Sequence, residues 1–278
     1  MRVAGCSVCS MVVFVLGVGD VGAQTRPAAA ADVTLSSRYD WRGITRHNGW
    51  VLQGDLVGGV RFGSGFVTVG GWTNYELRLA EPASTDVGLG KHFGEWNVWA
   101  EVALWRGPFD VSVGHIRYFV DEDAAAAVGT TVFNTGETYV DAQVRIGPFT
   151  PRAAVSLDLE KVKGAYIEIE AAYRIPVLPL AVPSLYVSVL GGFSAGQAID
   201  TTDPSQGGYF ATNGLTHIDF SARTQVYLPI GPLKDLYATP EVHFVVNIDE
   251  ATKRTSRSPE DADKATKWRF AVALSWYW

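Results

Sequence analysis

The chain has 278 residues, 47% of them hydrophobic, and a formal net charge of −6. It is too apolar for a disordered polypeptide and lacks the basic excess that a nucleic-acid partner requires, so no nucleic acid is expected. Its 29 glycines argue against a helical protein, since Gly in a helix interior costs about 1 kcal/mol relative to Ala.

The first segment reads MRVAGCSVCSMVVFVLGVGDVGAQ, with Arg2, an apolar run over 11–18, and the small-x-small triplet Val21-Gly22-Ala23. This is the layout of a secretory signal peptide over 1–23, cleaved after Ala23 and exported through the Sec pathway. The apolar run falls short of the roughly 20 residues that a spanning helix needs. Cys6 and Cys9 both lie in this segment. The mature chain therefore carries no thiol and no disulfide framework, and a large core or a bilayer must stabilise it. Residues 24–31 form an Ala-rich connector, and 32–278 are expected to form one domain.

Period-two alternation then runs almost to the end, with strands expected at 33–42, 50–62, 65–78, 95–106, 109–119, 137–146, 149–160, 165–175, 185–195, 216–228, 236–248 and 267–278. Most are ten or more residues long, whereas soluble strands average about five or six and a tilted membrane strand needs about nine to eleven. Length selects lipid as the solvent of the apolar face. The expected fold is all-β: a transmembrane antiparallel up-and-down β-barrel of about twelve strands. Tight turns at 63–65, Gly107-Pro108, Gly147-Pro148, 176–183 and Gly231-Pro232 follow even-numbered strands, and long polar connections at 79–94, 120–136, 196–215 and 249–266 follow odd-numbered ones. That sorting is the signature of periplasmic turns and extracellular loops, with both termini in the periplasm. The alternating stretch STDVGLGKHF is assigned to an external loop to preserve this parity. Two places resist the pattern. Pro240 removes a ladder hydrogen bond from its strand, and in 109–119 His115 and Arg117 compete with Ile116 and Tyr118 for the inward face.

The last strand separates Trp268, Phe270, Val272, Leu274, Trp276 and Trp278 from Lys267, Arg269 and their partners. An apolar-alternating final strand with a C-terminal aromatic residue resembles the signal read by the barrel assembly machinery of the outer membrane, with Trp278 standing where Phe is commoner. At the other end, LSSRYDWRGIT (35–45) carries Ser36-Ser37, Tyr39, Trp41 and Arg42-Gly43-Ile44. It resembles the N-terminal signature of the TorF-like family of Gram-negative outer-membrane porins, in which a small-polar pair, an aromatic residue and Arg-Gly close the first strand. Arg38 and Asp40-Trp41 depart from that signature. The resemblance implies a channel in the outer membrane.

Charges keep to the opposite face. Arg38, Asp40, Arg42, Asp55, Arg61, Asp141, Arg145, Asp158, Glu168, Glu170, Arg174, Asp219, Arg223, Glu241, His243 and Arg269 are the candidate lumen residues. One Arg on the lipid face at mid-bilayer costs about 2 to 4 kcal/mol, so a register slip is prohibitive. About eight strands give a filled barrel and about sixteen an open channel, so twelve permits either a conducting pore or a closed barrel with a structural or loop-mediated binding role. His217, Asp219 and Ser221 share a face and invite a hydrolase reading, but residues four apart on a strand lie about 13 Å apart, too far for nucleophile and base. The five histidines are scattered, and no metal, cofactor or covalent chemistry is expected. Asp121 to Asp123 could gather divalent cations that bridge lipopolysaccharide; an ordinary solvated acidic loop is the simpler reading. The expected partners are the lipid bilayer of the outer membrane, the assembly machinery and lipopolysaccharide.

Overall fold

The computed structural model describes residues 29–77, 93–120, 134–176, 184–199, 208–228, 230, 235–253 and 265–278. The signal peptide, Asp121 to Asp123, Gly231-Pro232 and most of the four long connections lie outside them.

Twelve strands form the wall: β1 (Ala29–Ser36), β4 (Val51–Phe62), β5 (Gly65–Glu76), β6 (Phe93–Arg106), β7 (Phe109–Phe119), β8 (Gly136–Val144), β9 (Phe149–Asp158), β10 (Gly164–Ile175), β11 (Leu185–Ala195), β12 (Gly214–Thr224), β14 (Leu236–Asn247) and β15 (Thr266–Tyr277). Each pairs antiparallel with its neighbours. β1 lies between β4 and β15, and β12 pairs with β14, so the sheet closes and leaves no edge. Closure satisfies every wall strand's backbone without water, which is what allows a sheet to stand in hydrocarbon.

Alternation decides which side chains meet lipid. In β15, Lys267 and Arg269 are 2% and 4% exposed, whereas Trp268 and Phe270 are 56% and 53% exposed. The outward wall is an apolar belt, and the polar residues turn inward. In β7, Ile116 and Tyr118 face inward and are buried, which leaves His115 and Arg117 on the outer wall. Pro240 points outward at the break between β12 and the short β13 (Val226–Tyr227), where the ladder to β14 is already interrupted. Its missing N–H therefore costs no bond.

Three expectations change. The connector residues Ala29 to Ala31 belong to β1; all three pair with β4, and Ala30 and Ala31 pair with β15 as well. The stretch 216–228 is divided between β12 and β13. Most consequentially, the first wall strand stops at Ser36 and not at 42. Beyond it the chain folds back as a separate two-stranded hairpin, β2 (Tyr39–Trp41) and β3 (Ile44–His47), which pairs with no wall strand. The Arg-Gly pair does not close the first strand. Arg42 and Gly43, with φ of 53° and 79°, form the hairpin's tip, the double positive φ of a type I′ turn.

Candidate functional site: the lumen and its inserted hairpin

The hairpin is buried because it enters the barrel. It starts where β1 and β4 meet at the end opposite the chain termini, and crosses the lumen from there. Tyr39 donates its hydroxyl to Glu95 on β6 at 2.8 Å. On the far side, Gly43 lies so close to His217 on β12 that a Cβ there would stand 2.7 Å from the imidazole. Strands β6 and β12 are separated by β7 to β11 on one side and by β5, β4, β1, β15 and β14 on the other. They are opposite walls, and the hairpin spans them.

Arg42 anchors the tip. Its Nη1 and Nη2 donate to Glu137 Oε1 and Oε2 on β8 at 2.7 and 2.6 Å, with the two side chains 0% and 1% exposed. Its guanidinium also lies 4.3 Å from the ring of Tyr166 on β10 and 4.6 Å from that of Trp41. Burial alone would lower the pKa of Arg42, but the Glu137 carboxylate more than reverses this, so the group stays charged. Lys267 on β15 donates to the Gly43 carbonyl at 3.3 Å and to that of Thr252, in the short helix α1 (Glu250–Lys253), at 2.6 Å. Trp41 packs edge-on against Tyr209 at 4.7 Å, and Thr45 donates to Asp40 at 2.6 Å. His47 approaches Glu76 on β5 at 3.3 Å. Arg38 donates to Asn48 across the base of the hairpin at 2.8 Å.

These contacts correct the placement of Arg38, Asp40 and Arg42, which were expected on the wall. They belong to the hairpin, because the reversal at 42–43 takes them off the sheet. The other candidates sit on the inward parity of their strands. Asp141, Glu168 and Glu170 converge on Arg152, at 2.6, 3.2 and 3.5 Å. Asp219 and Glu241 flank His243 at 2.9 and 3.2 Å. Arg223 lies opposite Glu241, and Arg269 opposite His243, in the ladders. Asp158 accepts from Thr135 at 2.9 Å and from the backbone N–H groups of Glu160 and Lys161. Asp55 stands directly across from Asp32. Arg61 lies over the Trp105 ring at 5.7 Å. Arg145 and Arg174, near the short-turn end, join no ion pair among the described residues.

Alternation missed Arg152, Glu137, Glu95, Glu101 and Asp32, all of which share the inward parity of their strands. Arg152 lies an even number of residues from Asp158, and Glu137 from Asp141, so parity counted outward from the chosen charges would have found both. His217, Asp219 and Ser221 do not assemble: His217 contacts Thr216 at 3.1 Å, Ser221 bonds Ser188 at 2.8 Å, and Asp219 is held by His243. Trp268, Phe270, Val272, Leu274 and Trp276 of β15, with Trp278 just beyond its end, form an outward aromatic-rich stripe, Trp276 and Trp278 being centred 4.8 Å apart. The Trp278 backbone exchanges hydrogen bonds with Ala29 at 3.1 Å in both directions and helps close the barrel.

The fold defines a transmembrane antiparallel β-barrel of the outer-membrane type. No protein-family pattern matches the sequence, and no curated protein matches it. The TorF-like resemblance therefore rests on residues 35–45 alone. Solved structures do match in shape. The COG4313 outer membrane channel from Pseudomonas putida F1 aligns with a TM-score of 0.55 at 7% identity, covering 95% of this chain and 100% of that one. LpxR from Salmonella typhimurium aligns at 0.51 and 6% identity, covering 90% and 100%. The KdgM porin aligns at 0.46 and 9%, covering 90% and 99%. At such identities the likeness is one of fold.

Proposed function

We propose that the protein is an outer-membrane channel through which small hydrophilic solutes diffuse passively, with the inserted hairpin setting the width of the route. The lumen supports this reading: charged side chains of both signs line it on the inward parity of the wall strands, a surface that accepts water and polar solutes. The observation that carries the proposal is the hairpin, anchored on opposite walls by Tyr39–Glu95 and by Gly43 against His217. A loop folded into a barrel of about twelve strands narrows a lumen that is wider than a side-chain-filled eight-stranded one. No covalent chemistry is assigned: among the described residues His217, Asp219 and Ser221 do not assemble into a triad.

The same hairpin favours a second reading, a barrel closed at rest whose role is structural or loop-mediated binding. Planar-bilayer recordings of refolded protein separate the two. The channel reading expects discrete current steps from the native chain and larger ones when residues 38–48 are replaced by a short Gly-Ser linker. Steps from the linker variant alone assign the closed barrel. Silence from both at every voltage overturns conduction.

A further inference from the structure

Arg42 is held as a ligand would be. Its guanidinium takes both oxygens of Glu137, at 2.7 and 2.6 Å, and lies 4.3 Å from the Tyr166 ring. A carboxylate matched to the planar fork, with an aromatic face beside it, is the pairing that selects guanidinium over other cations. Both groups stand on the barrel wall, and contacts outside the hairpin hold them. Tyr118 on β7 donates its hydroxyl to Glu137 Oε2 at 3.0 Å. Tyr166 stacks on Phe210 at 5.7 Å and 10°, and its hydroxyl fits against Gly192 of β11, where a Cβ would stand 2.1 Å away. Only the second aromatic face, Trp41 at 4.6 Å, belongs to the hairpin and leaves with it. The pocket is preorganised, and its present occupant is tethered.

That occupant is also strained. Arg42 sits at φ 53°, so part of its attraction to Glu137 holds a left-handed turn in place, and a free guanidinium makes the same contacts without the turn. The Glu137 side chain is 1% exposed, and a carboxylate buried to that degree is strongly disfavoured without a cation. The hairpin therefore yields to a competing cation more readily than to water. Further along the inward face of β10, toward the short-turn end, stand Glu168 and Glu170, where three carboxylates face Arg152. A cation leaving Glu137 meets them next. We infer that Glu137, Tyr118 and Tyr166 form a binding site for small guanidinium-bearing solutes, that Arg42 is its built-in competitor, and that such a solute releases the hairpin by taking its place. The inference rests on the channel reading and adds to it the class of solute and the event that widens the route.

The test is isothermal titration calorimetry of the refolded full chain in detergent, with agmatine as the guanidinium probe and putrescine as a dication that lacks the fork. Arg42→Ala removes the competitor and leaves the wall unaltered. It is expected to bind agmatine at least about tenfold more tightly than the native protein, because the occluded state is no longer populated, with a much smaller gain for putrescine. In that background Glu137→Gln is expected to abolish the gain. Should the Glu137 variant fail to fold, Tyr166→Leu, which replaces the ring with an aliphatic side chain, is expected to weaken agmatine binding several-fold. Amide exchange over 39–47 of the native chain is expected to quicken when agmatine is added. Equal affinity in the native and Arg42→Ala proteins, a gain that survives the folded wall variants, or exchange unchanged at saturating agmatine overturns the assignment. Preference for an acetylated Trp-Arg-Gly-Ile peptide over agmatine overturns it in favour of an arginine side chain on another polypeptide. Calorimetry is blind to conduction, so a conducting barrel that ignores agmatine sinks the site alone, and bilayer silence beside tight agmatine binding sinks the channel reading alone.

Discussion

Arg42 occupies the left-handed region at φ 53°, where a non-Gly residue is strained, and it buries a full charge against Glu137. Strain of this kind costs about 1 to 3 kcal/mol and persists only where surrounding contacts over-determine it. Here the bidentate pair and two aromatic faces do so. Removing one partner leaves the other charge buried, so Arg42→Ala is expected to destabilise the docked hairpin by about 3 to 5 kcal/mol. The joint replacement Arg42→Met/Glu137→Leu should cost far less. Amide hydrogen exchange over 39–47 reads both: fast exchange in the single variant with protection restored in the double, whereas equal protection in the native and single-variant proteins refutes the anchor. The next residue is constrained independently. Gly43→Ala places a methyl 2.7 Å from His217 in a backbone conformation that disfavours it, and should free the same amides. The charge of Arg42 and its turn to the interior were legible from alternation. Its position off the wall was not, because Arg-Gly is not among the dipeptides that announce a type I′ turn, and the contacts that stabilise this one come from strands up to 224 residues away, as with Lys267 and Gly43.

Strands were legible wherever hydrophobic and polar residues alternated without interruption. β7 and β11 match their expected bounds, and β15 is displaced by one residue. The reading failed at 37–42, where alternation continues through Ser37, Tyr39 and Trp41 although the chain has left the sheet. A pleat and a short hairpin share the same period of two, so periodicity cannot separate them, and only the length of the following connection hinted at a reversal. The final strand offers the complementary case. Trp278 serves two roles at once, exchanging backbone hydrogen bonds with Ala29 and completing the outward aromatic stripe. Deleting Trp278 alone therefore removes the closing bonds at the seam and leaves the inward-facing Tyr277 as the last residue in place of an outward aromatic, and assembled barrel in outer-membrane fractions, detected as the heat-modifiable band on gels, should drop several-fold. Trp278→Phe retains both features and should assemble normally. Equal yields from the deletion and the native chain would refute the terminal-signal reading.

Among the described residues, charge is distributed in mixed-sign clusters and not in one ring. Arg152 faces Asp141, Glu168 and Glu170 on β8 to β10, while His243 sits between Asp219 and Glu241 on β12 and β14, with Arg223 and Arg269 opposite Glu241 and His243 in the ladders. A solute crossing such a lumen meets fields that cancel unevenly from wall to wall, and selectivity turns on the cluster with the acidic excess. At Arg152 one positive charge meets three carboxylates. Arg152→Gln keeps a side chain of similar reach that still donates hydrogen bonds, and exposes an acidic patch on one wall. Opposite charges lining a pore raise the local concentration of counter-ions. The expected result is a shift of the reversal potential toward that of a cation-selective pore in a salt gradient, larger at low ionic strength, where the Debye length approaches about 30 Å, than near 1 M, where it is about 3 Å. Recording in the hairpin-replaced background keeps the measurement available even where the native route is narrow. A reversal potential unmoved by Arg152→Gln at low salt would mean that ions pass without sensing this wall, and would place the conducting route away from β8 to β10.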